Sequence, residues 1–175
     1  AGDVAILSGA GTIDTDNYTF EMIGALDLQG ELTTTGTGTL LRGDVNEEGR
    51  GAGGINVTAG TLGLGSNFAA GTGLIKLASG TTLLNAACGC ARLDIDNDIR
   101  VALGGAATFD GGGNNTDLNG AISGGDVHFT TSLSAPFAGR IFRLNGANSY
   151  GATRIGPNVA LIVYDGTLGT GDVTF

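Results

Sequence analysis

Short apolar-polar-apolar triplets recur along this chain, and they restrict its fold more than any other feature. Leu26-Asp27-Leu28, Ile55-Asn56-Val57, Ile75-Lys76-Leu77, Leu93-Asp94-Ile95, Phe142-Arg143-Leu144 and Val173-Thr174-Phe175 each place one polar side chain between two apolar ones. In an extended strand successive side chains point to opposite faces, so each triplet makes a short strand with one dry face and one wet face. Turn-forming stretches lie between them: Ser8-Gly9-Ala10-Gly11, Gly51-Ala52-Gly53-Gly54, Gly111-Gly112-Gly113-Asn114 and Gly169-Thr170-Gly171-Asp172. Glycine and asparagine take the positive φ that tight turns need. Strand and turn alternate without a helical interval, which predicts an all-β fold with little or no α-helix.

Composition supports this rhythm. Of 175 residues, 34 are glycine, only two are proline and 41% are hydrophobic, enough for a long, thin core in one domain. The glycines keep no three-residue period, which excludes collagen, and Val, Ile, Leu and Phe recur throughout, which argues against general disorder. Eight basic against seventeen acidic residues give a formal charge of −9. That charge repels nucleic acid and anionic lipid and keeps an extracellular surface soluble. No apolar run approaches the roughly 20 residues that span a bilayer as a helix, so membrane insertion by this segment is not expected. No basic-then-apolar leader precedes Ala1, and the chain reads as a mature product or an excised piece.

A sandwich, a barrel and a solenoid all tolerate such a rhythm, and repetition decides between them. Gly-Asp-Val starts at Gly2, Gly43, Gly125 and Gly171, and Gly-Thr-Leu starts at Gly38, Gly60 and Gly166. Gly11-Thr12-Ile13-Asp14 followed by Gly24-Ala25 parallels Ala107-Thr108-Phe109-Asp110 followed by Gly120-Ala121 at a single shared offset. This suggests two related halves, about 1–80 and 81–175. A compact barrel gives no reason for serial, drifting repetition, whereas a solenoid grows by units that touch only their neighbours. A single β-solenoid domain over 1–175, with roughly 7–9 rungs, is the expected architecture.

Here the chain resembles the autotransporter-associated β-strand repeat, a passenger motif built around Gly-Thr-Leu, a Leu-x-Gly-x-Asn-x-Tyr step and an Ala-Gly-Thr-Leu strand. One copy runs from Leu144-Asn145-Gly146-Ala147-Asn148-Ser149-Tyr150-Gly151 through Val159-Ala160-Leu161 to Gly166-Thr167-Leu168-Gly169. Another runs from Gly36-Thr37-Gly38-Thr39-Leu40 to Val57-Thr58-Ala59-Gly60-Thr61-Leu62, with residues 43–50 in place of the Asn-x-Tyr step. Pro157 is expected in a turn, since it cannot donate to a strand ladder. The resemblance implies a right-handed parallel β-helix, extracellular or on a bacterial cell surface, and no particular activity.

Several residue groups offer chemistry, each beside a plainer reading. Alternation aligns Asp94, Asp96 and Asp98 on one face, where three close carboxylates suit calcium or acid/base work; a solvated strand edge accounts for them equally. Arg42-Gly43-Asp44 spells the integrin-recognition tripeptide and would form an exposed adhesive loop, although a chain rich in Gly-Asp produces it by chance. Cys88 and Cys90 flank Gly89 and supply only half of a zinc site, which leaves a strained disulfide or two free thiols. Thr33, Thr35, Thr37 and Thr39 align on one strand face, an ice-binding-like array if it were repeated on successive rungs; strand propensity alone explains it otherwise.

His128, the sole histidine, lacks a serine-nucleophile motif and reads as an ordinary strand residue. With no tryptophan and three tyrosines, the aromatic platforms of glycan-cleaving sites are missing. No cofactor is implied and no enzyme is expected.

Both ends read like interior rungs without a polar cap, which suggests cover by further turns of the same polypeptide or by copies stacked head to tail. The expected function is structural: a secreted or cell-surface rod that polymerises into an extracellular filament. The alternatives are an adhesin or glycan-binding module that meets a host surface or glycan, and a polysaccharide-active enzyme.

Overall fold

The computed structural model describes residues 4–6, 9–23, 26–43, 51–88, 92–132, 140–164 and 168–175. Among them there is no helix, and every strand pairing is parallel. The chain winds as a β-solenoid of about seven turns. Backbone hydrogen-bonded partners on consecutive turns lie from 18 residues apart, at Arg140 and Asn158, to 27 apart, at Thr81 and Thr108. Turn length therefore varies while the stacking continues.

The turns supply strands to three faces, the first of which carries none among the described residues between Leu28 and Leu93. The first face holds Val4–Ile6 on Leu26–Leu28, and further along Leu93–Ile95, Thr116–Leu118, Arg140–Leu144 and Val159–Val163. The second stacks Ala10–Asp14, Glu31–Thr35, Ile55–Val57 and Ile75–Leu77, then the starts of Ile99–Asp110 and Ile122–Thr130. The third stacks Thr19–Met22, Thr39–Arg42, Thr61–Leu64 and Thr82–Asn85, the ends of those two long strands, then Thr153–Ile155 and Val173–Thr174. Ile99–Asp110 serves both faces because its register breaks between Val101 and Ala106. The intervening residues swing outward and leave Leu103 89% exposed.

The alternation seen in the triplets sets the core. On the second face Leu32, Ile55, Ile75, Ile99 and Ile122 stack in register, none more than 1% exposed. On the third face Leu40, Leu62, Leu83, Phe109 and Phe129 form the matching column. Burying each such side chain contributes about 1.5–3 kcal/mol. The rings of Phe109, Phe129 and Phe142 join the later columns, with centroids 5.5 and 5.1 Å apart and tilted planes.

Corners follow local chemistry. Between the first and second faces successive turns place Gly30, Gly53, Gly73, Asn97, Gly120 and Gly146. A Cβ on Gly53 would fall on the Gly30 carbonyl, one on Gly120 on that of Asn97, and one on Gly146 on that of Gly120. Asn97 takes its place with a buried side chain that donates to the carbonyls of Gly71 and Gly73. Between the second and third faces the chain passes through left-handed residues, Asp16 at φ 49° and Gly60 at φ 70° among them. Pro157 lies in a turn, as expected, followed by Asn158 at φ 61°.

The repeating unit in space is the single turn. Gly38-Thr39-Leu40 and Gly60-Thr61-Leu62 stack directly, Thr39 on Thr61 and Leu40 on Leu62. The two segments that suggested related halves fall on different faces. Ile13 belongs to the second, beside Thr34, and Phe109 to the third, between Leu83 and Phe129.

Candidate functional site

A polar ladder runs along the outside of the first face. Asp117 is only 5% exposed and lies between two arginines: Arg143 Nη1 donates to it at 3.0 Å, and Arg92 Nη1 stands 3.5 Å away. The hydrogen bond with Asp117 raises the Arg143 guanidinium above its ordinary value, against the opposing effect of burial. Next to it, Asn145 donates to Asn119 at 2.6 Å and Asn119 donates to Asp96 at 2.7 Å. Such ladders form because identical outward positions stack in parallel strands.

The three aspartates suggested for calcium sit at the start of this ladder, each engaged separately. Asp94 accepts from Arg92 Nε at 2.9 Å and from Asn67 Nδ2 at 3.2 Å. Asp96 accepts from Asn119, and Asp98 accepts the Ala121 amide at 2.9 Å. Among the described residues no three His, Cys, Asp or Glu side chains gather where they could hold a metal ion. All three project outward, since burial alternates through Leu93, Ile95, Asn97 and Ile99, but the corner at Asn97 separates Asp98 from the strand that carries Asp94 and each meets its own partner.

Arg42 overturns the exposed-loop reading of Arg42-Gly43-Asp44. It is 1% exposed and occupies an inward column, between Met22 and Leu64. Its Nε donates to the Ala69 carbonyl at 3.2 Å and its Nη1 to the Met22 carbonyl at 3.3 Å. The small side chains of Ala69 and Ala70, both buried, leave room for the guanidinium, and burial lowers its proton affinity. Gly43 follows at the strand end, and Asp44 lies outside the described residues. Cys88 is exposed just after Thr82–Asn85, and Cys90 too lies outside them.

The threonine run also divides differently. Thr33 and Thr35 belong to the second face and Thr39 to the third, with a corner between. A threonine array does occur across rungs, in the outward column Thr19, Thr39, Thr61, Thr82 and Thr108. Sequence reading missed it because each turn contributes only one member, and the column emerges once turn lengths are known. His128 and Arg154 continue that column. Burial first, and then the Arg154 charge, hold the His128 imidazole below its ordinary value.

At the end of the stack the interior opens. A cavity of about 700 Å³ is lined mainly by Ile155, Val159, Leu161, Leu168, Val173 and Phe175. Leu161 and Val163 are half-buried, and Val173 and Phe175 are 40% and 94% exposed. At the opposite edge Phe20, which heads the third-face column, is 49% exposed.

Comparison with protein-family models, curated proteins and solved structures finds no match for this chain.

Proposed function

We propose that the chain is a structural element, a rigid secreted or cell-surface rod that lengthens when copies stack head to tail. The observation that supports this reading is the in-register stack itself, whose first and last described rungs keep apolar side chains on the axis where a further turn, of another copy or of a longer polypeptide, would continue the columns. The last presents the apolar positions Leu161, Val173 and Phe175, the first Phe20, in columns that are otherwise sealed. Parallel rungs present the same donor and acceptor pattern at every level, so the edge after Val173–Thr174 complements the edge before Thr19–Met22, and the edge after Val159–Val163 complements that before Val4–Ile6. Such a contact is heterologous and repeats without closing when its rotation does not return on itself. The resemblance to passenger repeats and the charge of −9 fit an extracellular setting.

Analytical ultracentrifugation over a range of concentrations tests the proposal. The weight-average mass should rise in multiples of the single chain, and electron micrographs should show rods. Phe20→Lys or Val173→Lys should hold the chain as a monomer with an unchanged far-ultraviolet circular dichroism spectrum. A single-chain mass at every concentration overturns the reading.

A further inference from the structure

The outward column of the third face changes character partway along the rod. Thr108 is followed on the next rungs by His128, Arg154 and Thr174. The neighbouring corner positions are small, Gly80, Ala106 and Ala152, with Asp126 among them. The step between the two columns makes a groove of about 460 Å³ across several turns. Among the described residues, no carboxylate oxygen lies within the 4.0 Å of an ion pair from His128 or Arg154. An arginine and a histidine on adjacent rungs thus face a groove with no ion-pair partner among the described residues, in a chain of charge −9.

We infer that this groove binds an anionic oligosaccharide, its carboxylate seated on Arg154 and His128 and its hydroxyls against Thr108, Thr174 and Asp126. Adjacent rungs lie about 4.8 Å apart, close enough for one carboxylate to meet both donors. Asp126 gives one oxygen to the Ala152 amide at 2.7 Å, which fixes the carboxylate and leaves its second oxygen as an acceptor for a sugar hydroxyl. A peptide fits less well. The strands under most of the groove, Ile99–Asp110, Ile122–Thr130 and Thr153–Ile155, each have a neighbour on both sides, so only the two-residue strand Val173–Thr174 at its end leaves an edge to an added strand. The groove lies on the flank of the rod, although His128 and Arg154 also border the cavity at the end of the stack, so its occupation is followed in the Val173→Lys chain as well as in the parent.

His128 is the only histidine, so its imidazole resonances report on the site without ambiguity. Titration of the whole chain with a galacturonate oligomer should shift these resonances saturably. It should also raise the His128 pKa, because a bound anion favours the imidazolium despite Arg154; Asp110 and Asp126 are the nearest other titratable groups in sequence and register. Arg154→Gln should weaken binding about tenfold, the value of one charge-assisted hydrogen bond. Arg100→Gln, on the second face, should leave affinity unchanged. The inference fails if the resonances do not move, if Arg154→Gln binds like the parent chain, or if a neutral glucan oligomer or a polyglutamate peptide binds as tightly.

Discussion

A guanidinium placed in an apolar column is tolerated only when its donors are met and its volume is needed, and Arg42 satisfies both conditions. Its stem fills space beside Ala69 and Ala70, and two backbone carbonyls accept its protons. Arg42→Ala should therefore leave a cavity and the Ala69 carbonyl without its donor, while the Met22 carbonyl keeps the Gly43 amide, a loss of about 3–5 kcal/mol in urea unfolding. Arg42→Met keeps most of the volume and removes the buried charge, and should lose less than half as much. The inward direction of Arg42 was not legible in the sequence. In Thr39-Leu40-Leu41-Arg42 two adjacent apolar residues leave the phase of the strand undetermined. Met22 and Leu64, which share the Arg42 column, are recognisable as its neighbours only once the pairing register is known.

Among the elements, the strands were readable and the corners only partly so. The triplets at Ile55, Ile75 and Leu93 are strands with the expected alternation. The glycine-rich stretches are turns, but sequence did not show that Gly30, Gly53, Gly73, Gly120 and Gly146 form one column in which each backbone packs against the next. That column makes substitution there severe. Gly120→Ala would press a methyl group onto the Asn97 carbonyl, and it should destabilise the fold by about 3 kcal/mol, measured by thermal unfolding. Gly80→Ala is a useful contrast, since nothing lies within 4 Å of its added carbon and only its φ of 80° opposes the change. The three aspartates all face outward, as their alternation predicts; what the sequence did not show is that each meets its own partner, Asp94 with Arg92 and Asn67, Asp96 with Asn119 and Asp98 with the Ala121 amide.

For the whole molecule the contacts are almost one-dimensional, each turn resting on the turns before and after it. Stability should grade along the axis accordingly. In the Phe20→Lys chain, hydrogen exchange followed by mass spectrometry should find the amides of Ile75, Ile99 and Ile122 slowest and those of Val173 and Thr174 fastest. Uniform protection from Thr39 to Thr174 would instead mark a single cooperative unit. Sequence alone carried the all-β solenoid, because a two-residue alternation and turn-length repetition are both local signals. The two segments that share one offset fall on different faces because rungs differ in length, so a fixed offset compares unlike positions. The excursion between Val101 and Ala106 shows how freely a rung varies: the chain leaves the wall, turns at the exposed Leu103, and rejoins with pairing intact on either side. Foreign peptide grafted at that tip would be presented laterally from the shaft without disturbing a single ladder, which makes the molecule a ready scaffold for display.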